Sequence, residues 1–223
     1  MPPGGRRPYA SGVSTEPPPP PTLTERRKAA TQLDIAHAAA ELFATRGPEA
    51  TTAEEIARRA GVALRTFYRY FRSKQDAVGP LLTVGADRWR ALLAEAPPGS
   101  PLGPALRGAV EQALATPDPQ AVEALLRTRG LLRAAADDPA LRAVWYRVNQ
   151  ESEELLIPVI ARLTDGRRDP LEVRLVAAAA TDAIRIALET WSGTEAATEG
   201  PDSPADLAVR CLRSLLGPGD DTP

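Results

Sequence analysis

The sequence predicts an all-α fold, with a small N-terminal helical unit followed by a larger helical one, and three observations lead there. Aromatic residues make up only 4% of the 223 residues, whereas hydrophobic residues reach 43% with Ala and Leu prominent. That mix favours helices and starves strands of the aromatic and β-branched residues they prefer. Four boundaries, Asp118-Pro119, Asp138-Pro139, Asp169-Pro170 and Ser203-Pro204, each place a capping side chain before a proline at a first helical position. No period of about 20 to 50 residues recurs, which argues against a solenoid.

The elements follow in order. Residues 1–21 hold eight of the 23 prolines and end in five consecutive ones, Pro17 to Pro21, so a disordered, extended arm is expected there. Thr22-x-x-Glu25 is a capping box, and Ile35, Ala36, Ala39, Leu42 and Phe43 then form the stripe of an amphipathic helix that Gly47 and Pro48 end. A second capping box, Thr52-Ala-Glu-Glu55, opens a helix of about two turns that stops at Ala60-Gly61-Val62. A third helix runs from Leu64 to Phe71, with Val62, Phe67 and Phe71 spaced to face the first two.

Ser73-Lys-Gln-Asp76 is expected to cap a long fourth helix reaching towards Ala96. Gly79-Pro80 then falls one to two turns inside it, where proline removes the bond to the Asp76 carbonyl and predicts a kink, read either as a hinge or as a bend tolerated near a helix start. After the break from Pro97 to Pro104, helices are expected at 104–115, 118–135, 139–163, 170–192 and 204–216, the seventh bent at Pro158. The chain divides accordingly into an arm (1–21), a three-helix unit (22–72), a larger helical unit (73–217) and a flexible tail (218–223).

Composition excludes several functions. Cys211 is the one cysteine and His37 the one histidine, so neither a disulfide framework nor a Cys/His zinc cluster can form. The motifs of serine hydrolases, nucleotide-binding loops and zinc proteases do not occur, and no catalytic residue, metal or cofactor is expected. His37 is placed on the outer side of the first helix, and Glu151, Glu153 and Glu154 read as a charged helix face. No run of about 18 uncharged apolar residues and no apolar leader occurs, which predicts a cytoplasmic protein without a membrane partner.

Charge is uneven. The net charge of −2 splits into +5 over residues 1–75 and −7 over the remainder. Two short helices joined through Gly61, the second presenting Leu64, Arg65, Thr66, Tyr68 and Arg69, describe a helix-turn-helix, whose second helix enters a major groove about 12 Å wide. The rival reading is a helical interaction module with no role on DNA.

From Ile35 to Lys74 the chain resembles the TetR family of transcriptional regulators: IAHAAAELFATRG is similar to its first helix and TTAEEIARRAGVALRTFYRYFRSKQDAV to its helix-turn-helix running into helix four. The resemblance implies a DNA-binding domain, an effector-binding domain, and a homodimer through the last two helices on a double-stranded, pseudo-palindromic operator. By position it implies that Thr52 caps a helix near a phosphate, that Arg65 and Thr66 read bases, and that Tyr68 and Lys74 touch phosphates. Leu64 and Arg69 are further candidates. Ala63 departs from the Ser or Thr usual at that cap, and Arg65 from a common Gly.

In the last two helices Leu175, Ala177 to Ala180, Ile184, Leu188, Leu207, Leu212, Leu215 and Leu216 fit a dimer face, although a protomer's interior explains the same pattern. For a mainly apolar small-molecule effector, Trp89, Trp145, Tyr146, Asn149, Asp182 and Arg185 are the candidate contacts, with Glu153 and Trp191 beside them. Each Trp also suits a core, and Asp182 and Arg185 also suit a surface pair at i, i+3.

Overall fold

The computed structural model describes residues 22–216; the expectations for the arm over 1–21, for the tail over 218–223 and for the side chain of Leu216 lie outside the described residues. Among these residues every element is helical. The N-terminal unit comprises α1 (Leu23–Arg46), α2 (Ala53–Arg59) and α3 (Leu64–Tyr70). The rest comprises α4 (Gly79–Ala94), α5 (Leu102–Leu114), α6 (Pro119–Asp137), α7 (Pro139–Leu163), α8 (Pro170–Ser192) and α9 (Pro204–Leu216).

The caps are the ones the sequence spelled out. Thr22 Oγ1 accepts from the Glu25 N–H at 3.2 Å while the Glu25 carboxylate takes the Thr22 N–H at 2.7 Å, and Thr52 and Glu55 repeat the arrangement at 3.2 and 3.0 Å. Asp118, Asp138, Asp169 and Ser203 each accept from first-turn N–H groups of the helices they precede. Gly47 ends α1 at φ +80, a conformation that costs a glycine little.

The fourth helix corrects the sequence reading. Ser73 does cap, its Oγ accepting from the Asp76 N–H at 3.1 Å, but what it opens is a single 3-10 turn, Asp76–Val78, and α4 begins only at Gly79. Pro80 therefore sits in a first turn, where helix N–H groups lack intrahelical partners, rather than deep enough to break one. Of the two readings of Gly79-Pro80, its position at the start of α4 fits the proline tolerated near a helix start and not the hinge. α7 continues through Pro158 to Leu163.

Two apolar clusters hold the molecule together. The first joins Ile35 and Phe43 of α1, Ile56 of α2 and Phe67 of α3 to Leu131 of α6 and Leu141, Val144 and Trp145 of α7, so the N-terminal unit shares its core with the larger one. The second gathers Trp89, Leu93, Leu106, Leu156, Ile160 and Leu212 around a seam of α8 alanines, Ala177, Ala180, Ala183 and Ala187, each 0% exposed. Small side chains let α8 lie close to its neighbours.

This seam revises the dimer expectation. Ala177, Ala180, Leu188 and Leu212 are buried inside the protomer. The opposite face of α8 instead carries exposed Leu171, Leu175 and Ile186 with half-buried Ala178 and Ala179 between them, spaced as one helical stripe, and α9 adds exposed Leu215.

Two polar contacts tie the segment between α3 and α4 to α6 and α7. Gln75 Nε2 donates to Asp138 Oδ2 at 2.9 Å, and Arg147 Nη2 donates to Asp76 Oδ1 at 2.7 Å. Asp138 does three things at once: it ends α6, caps α7 and receives Gln75. Burial opposes its charge, but the hydrogen bonds from Gln75, Leu141 and Ala140 and the nearby Lys74 outweigh burial and hold the carboxyl below its ordinary 3.8.

Asp138→Ala is expected to lower unfolding free energy by about 1 to 2 kcal/mol in urea titrations at neutral pH. Because the folded pKa is depressed, this contribution is complete above 3.8 and fades as pH falls through the folded value, so wild type and Asp138→Asn converge in acid.

Candidate nucleic-acid interface and ligand cavity

The seven residues of α3 are too few to stay helical alone, and packing holds them. Phe67 is 0% exposed and meets Tyr68 edge-on at 5.3 Å and Phe71 at 5.7 Å between ring centres. The turn before it is set by Gly61 at φ +68, which lets the Val62 N–H reach the Ala57 carbonyl at 2.9 Å. With Phe67 fixed inward, Arg65, Tyr68 and Arg69 are left exposed.

The candidate contacts do not all stand alike. Tyr68 is 55% exposed, and Arg69 lies over the Tyr70 ring at 4.9 Å while donating to the Tyr70 hydroxyl at 3.2 Å, which steers it along the helix. Thr66 is half-buried. Leu64, expected to face outward, is half-buried and packs on the first cluster, as an apolar side chain beside a core gains by doing.

Thr52 and Lys74 come together. The Lys74 ammonium crosses to the turn before α2 and donates to the Thr51 carbonyl at 2.9 Å and that of Glu49 at 3.4 Å. It is neither a freely solvated lysine nor a wholly uncommitted phosphate ligand, since two of its three donors meet carbonyls. The Glu55 carboxyl is held below its ordinary range, first by the Thr52 N–H, with Arg46 beside it at 2.9 Å.

A cavity of about 430 Å³ lies where the two apolar clusters meet. Leu82, Leu131, Trp145 and Val148 come to its wall from the first cluster and Trp89 from the second. Of the candidate ligand contacts, Trp89, Trp145 and Asn149 line it. Asn149 Nδ2 donates to the Trp145 carbonyl at 2.8 Å, and Trp145 Nε1 to Glu189 at 2.8 Å.

Tyr146, Asp182 and Arg185 do not line it. Arg185 pairs with Asp182 at 2.9 Å and with Glu189 at 3.0 Å, and lies 5.7 Å from the Tyr146 ring centre, a group on the outer side of α7 and α8. On α8 the lining residues Thr181, Ile184 and Leu188 share one face; at 3.6 residues per turn Asp182 is turned well away from that face and Arg185 lies along its edge. Glu153 is also absent from the wall, and Trp191 is buried elsewhere, donating to the Ala196 and Ala197 carbonyls with Arg129 3.7 Å from its ring centre.

Sequence reasoning missed Leu33 and His37, through which α1 itself reaches the cavity. His37 is exposed, as expected, but at the rim. The available signal was length: a helix of 24 residues extends about 36 Å, more than two short helices can cover.

A buried aromatic anchor, a glycine turn and an arginine-bearing short helix, set beside a helical unit with an apolar cavity, define a helix-turn-helix regulator class. Residues 35–78 match the family model for bacterial regulatory proteins of the tetR family, and residues 100–214 match the model for the MftR C-terminal domain. The chain belongs to the TetR family. It is 30% identical over 142 residues to the HTH-type transcriptional regulator TcmR of Streptomyces glaucescens, the match covering 62% of each chain. To the Mycobacterium tuberculosis protein named MftR, for regulation of mycofactocin biosynthesis, it is 28% identical over 166 residues, 74% of this chain and 82% of that one.

Among solved structures it resembles the TetR family repressor AlkX from Dietzia at 21% identity and a TM-score of 0.55, covering 82% of this chain and 94% of that one. Thermus thermophilus FadR, a repressor solved with lauroyl-CoA, gives 24%, 0.52, 83% and 93%. At such identities the likeness is one of fold. No helix among the described residues is long and apolar enough to cross a membrane.

Ala63 opens α3 with no side-chain hydrogen bond. Ala63→Ser is expected to supply the missing acceptor and raise the urea unfolding free energy by about 0.5 to 2 kcal/mol.

Proposed function

We propose that this chain is a ligand-responsive repressor that binds a pseudo-palindromic operator as a homodimer and leaves it when a small, mainly apolar molecule fills the cavity. Residues 22–72 serve as the DNA-binding unit and 73–217 as the effector and dimerisation unit. Arg65 and Thr66 read base edges, while Thr52, Tyr68, Arg69 and Lys74 meet the backbone and Leu64 helps seat the helix. The observation that carries the reading is α1: Leu33 and His37 border the cavity, and Ile35 and Phe43 of the same helix pack in the cluster that holds Phe67. A ligand that resets α1 thereby resets α3.

The cavity volume suits a small effector, within the roughly 300 to 1,000 Å³ usual for such sites. For the dimer, the stripe of Leu171, Leu175 and Ile186 with Leu215 of α9 supplies the apolar surface that a second copy covers. Two-fold symmetry then sets half-site centres about 34 to 36 Å apart.

Fluorescence anisotropy on DNA flanking the protein's own gene, against random competitor, is expected to show specific binding by two protomers at about 10⁻⁸ M or tighter. Arg65→Ala is expected to lose about 1 to 3 kcal/mol on the operator and little on random DNA. Absence of binding even at low salt would favour an interaction module instead.

Leu175→Arg is expected to shift the protein towards monomer in light scattering and to weaken operator binding in parallel. A dimer that persists unchanged would place the interface elsewhere.

A further inference from the structure

The charged groups around the cavity carry one sign. Arg88 of α4 and Arg127 of α6 line it, His37 of α1 stands at its rim, and among the described residues no Asp or Glu lines it. This is not a reflection of composition, because residues 76–223 carry a net charge of −7. Nor are these side chains spread over the wall. Arg88 and His37 are exposed, as are Val84, Gly85 and Ala124, and together they form the mouth; Trp89, Trp145, Ser152 and Thr181 are buried and form the floor.

The cations differ in what they already hold. Arg127 Nη2 meets Glu123 at 2.7 Å, a carboxylate 72% exposed and outside the cavity wall. Arg88 Nη2 donates only to the neutral Gln112 carbonyl at 3.2 Å, and Arg88 forms no ion pair among the described residues. It is an uncompensated guanidinium at the edge of an apolar chamber. A carboxylate placed there would form a charge-assisted hydrogen bond, whereas the same group on the floor would lose its hydration without an ionic partner. An alkylammonium head would meet like charge.

Resting on the cavity as the effector site, we infer that the effector is an amphipathic monoanion: an apolar body directly bearing a carboxylate, bound tail inward with its acid group against Arg88 and flanked by Arg127. The sign of the head group, rather than the fit of the tail, then separates effectors from other apolar molecules of similar size. Arg88 is the specificity-determining residue, and Arg127 contributes less because Glu123 already neutralises it.

The test is isothermal titration of the full chain with decanoate, 1-decanol and decyltrimethylammonium, one ten-carbon tail with three heads, each kept below its self-association concentration. Decanoate is expected to bind about tenfold tighter than decanol, and the ammonium weakest. Arg88→Ala is expected to remove most of the gap between acid and alcohol, with Arg88→Lys retaining part of it. Equal affinities for the three, or tightest binding of the ammonium, would overturn the inference while leaving the cavity as an apolar binding site. Binding of none would overturn the cavity reading and this inference with it.

Discussion

The burial of Phe67 is what the short helix α3 depends on. α3 has seven residues and no side-chain cap, so little in its local sequence makes it helical. What fixes it is an aromatic ring with no solvent exposure, held between α1 and α2. The directions of Arg65, Tyr68 and Arg69 follow from that one burial. Because the cluster around Phe67 continues into Leu131, Trp145 and Val148, α3 shares one packed core with the wall of a cavity it does not touch.

That continuity shapes how a ligand can act. Interiors are packed densely enough that moving one wall displaces its neighbours. On the proposed reading, a molecule in the cavity would shift the protein only by the difference in its affinity for the DNA-competent and released arrangements. That difference would be registered by α1 through Leu33 and His37 and by the wall residues Leu82, Leu131, Trp145 and Val148 that share the cluster of Phe67. Coupling of this kind through a packed core would need no kink in α4, which accords with Pro80 standing at a helix start.

Much of the fold was legible because it is written in short-range chemistry. Capping boxes at Thr22 and Thr52 and the aspartate-proline pairs name their own helix starts, since cap and proline act within one turn. The fourth helix was misplaced because Ser73 caps equally well a 3-10 turn and an α-helix, and nothing local says which. The cavity was legible only in part. Trp89, Trp145 and Asn149 were found by residue type, whereas Tyr146, Asp182 and Arg185 share that chemistry but fall on faces that only tertiary packing distinguishes. The alanines of α8 pose the same difficulty: a small-residue seam looks alike whether it meets its own chain or a second copy.

The Lys74 contact has a consequence for how freely the turn before α2 can vary. The chain uses arginine for 25 of its 27 basic residues, yet lysine stands here. An ammonium is a compact point of charge with three rotatable donors, and here it spans the carbonyls of Glu49 and Thr51. Position 74 thus ties the start of the segment after α3 to the turn before α2, so the two backbone stretches move together.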